Sequence, residues 1–71
     1  MMPLTMMQAG ESTMIRKISG SQETRRFLEN LGFLAGTHIT ILSTIGGNVI
    51  VHIKDSRIAI NQDMAKHIMV Q

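Results

Sequence analysis

The apolar positions of this chain change period along its length. Thr24, Phe27, Leu28 and Leu31 recur at i, i+3, i+4 and i+7, which marks one face of an α-helix. From Ile39 onward the spacing is two: Ile39 and Ile41 share a strand face, and so do Val49, Val51 and Ile53. Upstream of the helix, Met14, Ile15 and Ile18 are apolar but not cleanly alternating, so that stretch (Thr13 to Ile18) predicts a strand broken by a bulge. Ser21 stands where an N-cap is needed and Glu23 lies in the first turn, where a carboxylate favours the helix dipole. Gly32 stands where a left-handed residue would stop the helix, with Phe33 and Leu28 placed to make the apolar contact of a Schellman motif. Ala35-Gly36 suits the centre of a type II turn, whose second central residue needs φ > 0.

Parity then predicts the pairing of the strands. Directly opposed residues in an antiparallel pair lie on the same face, so Ile41 is expected to face Val51 and Ile39 to face Ile53. That pairing requires an odd-length loop. The expected tip is the five residues Thr44-Ile45-Gly46-Gly47-Asn48, because a two-residue Gly46-Gly47 turn would break the register. The next hairpin is expected to close at Asp55-Ser56, which sets Ile53 against Ile58, Val51 against Ile60 and Lys54 against Arg57. Asn61 is expected to cap one helical turn, Gln62 to Ala65, and Ile68 and Val70 to form a last short strand. At the other end, Leu4 to Met7 predicts a single turn covering the edge of the core, and Gly10-Glu11 a turn into the first strand. The predicted order is strand, helix, three-strand meander, short turn, strand. Short strands in so small a chain favour a partly open barrel, which limits exposed edges.

With 71 residues, the chain makes one domain that buries only about 60% of its unfolded surface. Cysteine is absent, so neither a disulfide nor a thiolate metal site is available. No apolar run approaches the ~20 residues of a membrane span, and Met1-Met2-Pro3-Leu4 lacks the charged start and long apolar stretch of a signal peptide, so a cytoplasmic location is expected. The net charge of +2 comes from scattered basic residues rather than a dense stripe, which argues against a nucleic-acid partner.

The segment Leu28-x-x-Leu31-Gly32-Phe33-x-x-Gly36-x-x-Ile39 resembles the signature of the FeoA family, small cytosolic partners of bacterial ferrous-iron transporters. Leu4, Gly10 and Gly20 match the family's opening. Ser56-Arg57-Ile58-Ala59-Ile60 matches the strand before the short turn, and Ala65, Ile68 and Val70 match its close. The resemblance runs from Leu4 to Val70. It implies a mainly β fold: a small SH3-like β-barrel with one inserted α-helix and a short helical turn before the last strand. It departs from the family in three places. Thr44-Ile45-Gly46-Gly47-Asn48 stands where Pro-x-Gly-x-Pro is frequent, Ala35 where Pro is frequent, and Phe27 where a basic residue is frequent. The resemblance also implies a role: a non-catalytic accessory that binds and modulates the cytosolic GTPase region of a FeoB-type transporter. The alternative it implies is a regulatory module acting with a DtxR-type metal-dependent repressor.

No catalytic constellation, nucleophile elbow or P-loop is present, so neither enzyme activity nor a cofactor is expected. His38 and His52 are expected on the outward face of the meander, as diagonal neighbours roughly 7–8 Å apart, with His38 opposite Lys54 and His52 opposite Thr40. Two imidazoles beside a lysine, without a carboxylate, make a poor Fe(II) site; these histidines and His67 are read as solvent-exposed, and no metal site is assigned. Met14, Met64 and Met69 are expected to fill the core. The candidate partner-binding residues are Arg25, Arg26 and Arg57, since Arg is enriched at interfaces, together with Leu42, Ile45 and Ile50. Parity sets Leu42 against Ile50 on the outward face with Ile45 at the tip nearby, a small exposed apolar patch of the kind that marks a protein contact. Short strands with such a patch also make weak homo-oligomers through edge pairing conceivable.

Overall fold

A computed structural model describes residues 1–71. Its strands are β1 (Met2–Pro3), β2 (Ser12–Ile18), β3 (His38–Ile45), β4 (Asn48–Ile53), β5 (Ser56–Asn61) and β6 (Ile68–Val70). A 3₁₀ turn, Leu4–Met6, follows β1; helix α1 (Gln22–Asn30) joins β2 to β3, and the single turn α2 (Gln62–Ala65) joins β5 to β6. The sheet order is β1-β6-β2-β3-β4-β5 and all pairings are antiparallel. The sheet curls around its core but does not close, so β1 and β5 are its two edges. The two-residue β1, which the sequence pattern does not predict, pairs with β6.

Local chemistry sets the ends of α1. Ser21 is the N-cap, its hydroxyl oxygen accepting from the Thr24 N–H at 3.1 Å. At the other end the Phe33 N–H donates to the Leu28 carbonyl and the Gly32 N–H to the Glu29 carbonyl, with Gly32 at φ 107°. That pair of bonds is the Schellman arrangement, and Leu28 and Phe33 are both fully buried. The Thr37 N–H then donates to the Leu34 carbonyl across Ala35-Gly36, closing the expected turn. Asn61 caps α2 through its side-chain oxygen, which accepts from the Met64 N–H at 2.8 Å.

The core is aliphatic apart from Phe33. Ile39, Ile41, Val49, Val51, Ile53 and Ile60 come from the meander; Ile15, Ile18, Ile68 and Val70 come from β2 and β6; Leu4, Leu28 and Ala65 come from the helical elements. No charged or polar side chain is buried. Met14, Met64 and Met69 differ from expectation: they are half-buried at the margin, because the β-branched residues already fill the interior. The bulge expected in β2 lies between Ile15 and Lys17.

Two hairpins differ from the parity argument. Ile39 faces Ile53, Thr40 faces His52 and Ile41 faces Val51 as expected, but Ser43, not Leu42, pairs with Ile50, and the tip is the two-residue turn Gly46-Gly47. Leu42 is an extra residue in the strand, and this bulge absorbs the change of register that a two-residue turn imposes. The second hairpin turns at Lys54-Asp55, not Asp55-Ser56, so Ile53 faces Ser56, Val51 faces Ile58, Val49 faces Ile60 and Arg57 faces His52 rather than Lys54. The slip is two residues, which leaves every side chain on its expected face. Lys54 takes φ 55°, the only non-glycine residue with positive φ. β4 ends at Ile53, so Lys54 is not paired with His38, whose strand partner is Met14 on the β2 side.

Candidate partner-binding surface

The candidate residues form two groups. Ile50 is half-buried, paired with Ser43 on one side and Ala59 on the other. Leu42 is 38% exposed at the bulge opposite it, and Ile45 is 65% exposed beside the Gly46-Gly47 turn. Arg57, exposed on β5, carries this outward face to the sheet edge next to His52. Arg25 and Arg26 make the second group, exposed on α1.

A cleft of ≈ 320 Å³ lies between the helix that carries Arg25 and Arg26 and the strand that carries Arg57. One wall is Phe27 and Leu31, one helical turn apart. The other is Ile58, Ala59, Ile60 and Asn61 of β5, and Met64 of α2 also lines the cleft. Phe27 and Leu31 share the predicted apolar face of α1, yet only Leu28 of that helix is buried; Phe27 is 49% exposed and Leu31 37%. They are exposed because α1 stands off from β5 across the cleft instead of packing onto it. The signal was present in the sequence as an apolar face broader than one buried leucine requires.

The histidines do not assemble a site. His38 and His52 are exposed, and their diagonal relation survives because Thr40 pairs with His52. No three His, Cys, Asp or Glu side chains are grouped so that they could hold a metal ion. His67, read as exposed, is half-buried instead: its ring packs on Gly20, where an added Cβ would lie 2.9 Å from Nδ1, and the Ser19 hydroxyl lies 3.4 Å from the same nitrogen. Its backbone carbonyl accepts from the Ser19 N–H at 2.7 Å, so His67 joins β6 to the end of β2. No helix is long and apolar enough to cross a membrane.

Known proteins resemble the chain over its whole length. The FeoA domain profile matches residues 2–71. A provisionally assigned Fe(2+) transport protein A of Methanocaldococcus jannaschii is 31% identical over 71 residues, which is 100% of this chain and 87% of that protein. The crystal structure of an iron uptake regulatory protein, FeoA, superposes with a TM-score of 0.90 at 28% identity, covering 99% of this chain and 93% of that one. The zinc complex of FeoA from Stenotrophomonas maltophilia, described as an SH3 domain protein, shares the fold with a TM-score of 0.85 at 22% identity, covering 100% of this chain and 91% of that one. A manganese-dependent transcriptional repressor contains the same fold: TM-score 0.87 at 18% identity, covering 96% of this chain and 39% of the repressor. With the motif set, the topology and the profile match all in agreement, this chain belongs to the FeoA family, with that family's SH3-like fold.

Proposed function

We propose that this protein is a non-catalytic cytoplasmic accessory of ferrous iron uptake, which binds and modulates the cytosolic GTPase region of a FeoB-type transporter. The observation that carries the reading is family membership over residues 2–71. The surface supports it. Leu42, Ile45, Phe27 and Leu31 are large apolar side chains exposed on a small domain, and Arg25, Arg26 and Arg57 are exposed as well. The partner surface assigned is Arg25, Arg26, Leu42, Ile45, Ile50 and Arg57.

The test is an amide chemical-shift titration of the isotope-labelled protein with the GTPase region of the transporter from the same source. Shifts confined to Leu42–Ile50, Arg57 and the arginine-bearing side of α1 are the expected result. No shifts at saturating partner would overturn the reading. The likeness to the repressor motivates the second reading, a module that works beside a metal-dependent repressor. Shifts with such a repressor, and none with the transporter, would favour it.

A further inference from the structure

The free edge of β5 has a defined hydrogen-bonding pattern. Ile53 and Ser56 flank a two-residue turn, so they form a hydrogen-bonded pair, and by alternation so do Val51 with Ile58 and Val49 with Ile60. The intervening residues Arg57, Ala59 and Asn61 therefore point their N–H groups away from β4. The same alternation sends the Ile41 N–H and carbonyl away from β4 to Glu11 and Gly10, where both bonds are made at 2.9 and 2.7 Å. At β5 no counterpart exists: β5 ends the sheet, and the backbone bonds outside the regular elements include none from Arg57, Ala59 or Asn61.

The cleft runs along this edge. Its β5 wall includes residues from both faces of the strand, Ile58 and Ile60 from the inner and Ala59 from the outer, so it opens onto the edge rather than onto a face. Across the gap stand Phe27 and Leu31. An occupant must therefore offer backbone donors and acceptors toward β5 and apolar side chains toward α1. It must also be thin, because α1 closes the far side. A second folded copy brings its own β4 behind its β5 and would run into α1, whereas a single extended segment has nothing behind it. We infer that the β5 edge and the Phe27–Leu31 wall form a docking groove for one extended peptide segment of a partner, added to the sheet as a seventh strand. Charge sets its sequence pattern. In an antiparallel arrangement the residue opposite Arg57 shares its outward face and is acidic, while those opposite Ile58 and Ile60 are apolar, which reads apolar-x-apolar-acidic from N to C.

The reading that this protein works by protein contact underlies the inference, but the two fail separately. A short capped peptide containing Val-Ser-Val-Glu is titrated into the labelled protein to millimolar concentration. Shifts at Phe27, Leu31 and Arg57–Asn61, with slowed exchange of the Arg57 and Ala59 amides, are expected. Ala59→Pro removes one edge donor without touching the β4 ladder and should weaken binding at least tenfold; Leu31→Glu, which leaves β5 unchanged, should do the same if the proline variant folds poorly. Absent shifts, shifts elsewhere, or unchanged affinity in the folded variants would overturn the groove. So would protection of the Ala59 amide that rises with protein concentration alone, since a second copy would then hold the edge. Should the transporter's GTPase region bind and the peptide not, the groove falls and the accessory role stands; should the peptide bind and the GTPase region not, the reverse holds.

Discussion

Replacing Leu28 by Ala removes the only buried side chain of α1. Leu28 is fully buried and lies against Phe33 through the Schellman turn, so its loss both opens a cavity and unfastens the helix from the sheet. Buried Leu→Ala changes cost about 2–5 kcal/mol, and a value below the middle of that range, about 3 kcal/mol, applies to a helix with no second anchor that can still move partway into the space. A 71-residue domain has roughly 4–11 kcal/mol in total, so the change removes a large fraction of it. Urea unfolding followed by far-UV circular dichroism reads the effect directly: with a slope of about 1 kcal/mol per molar for a domain of this size, the midpoint falls by about 3 M. The control is Phe27→Ala. Phe27 is 49% exposed, and half the burial of an aromatic side chain is worth about 1 kcal/mol. Equal losses in the two variants, or a loss below about 1 kcal/mol for Leu28→Ala, would refute the reasoning, because the helix would then be held through its cleft-facing residues.

Gly20 and Gly32 both have positive φ, but a Cβ at Gly32 meets nothing within 4 Å whereas one at Gly20 lies 2.9 Å from the His67 ring. Thermal melts should therefore show Gly32→Ala losing about 1–2 kcal/mol and Gly20→Ala losing more; the reverse order would show that the ring is not fixed there. Lys54→Gly should raise stability by up to about 1 kcal/mol, because Lys54 holds φ 55° without the freedom of glycine, and a lower melting temperature would contradict that. Asn61→Ala removes the cap of α2 and should cost about 1 kcal/mol, read from the urea midpoint; no change would mean that the Asn61 side chain does not hold the Met64 amide.

The segment from Ser21 to Ile41 was legible because each of its signals is local. A capping hydroxyl, an apolar face, a C′ glycine and a turn glycine act within a few residues of one another, and each appears where expected. The strand faces were legible too, since alternation survives a slip of two residues. The β3–β4 register was legible as far as Ile41 against Val51, but the registers beyond it and between β4 and β5 were not. Parity allows Gly46-Gly47 to close the first hairpin only if a strand carries an extra residue, and nothing in the local pattern of Leu42 or Ser43 distinguishes a bulge from a longer loop. Likewise nothing marks Lys54 as the residue that takes a left-handed conformation.

The same division explains why the candidate surface was read only in part. Alternation turns Leu42 and Ile50 outward, and Ile45 was read at the tip beside them, so these three were accessible to a reading of the sequence. The cleft depends instead on how far α1, whose only buried residue is Leu28, stands from β5, which is a tertiary distance. Phe27 and Leu31 lie on the same helical face whether the helix lies flat on the sheet or stands away from it. In the first case they would complete the core, and in the second they form a wall opposite unpaired strand backbone. The exposure of Phe27 decides between these: the apolar face of α1 is a wall of the cleft rather than part of the core.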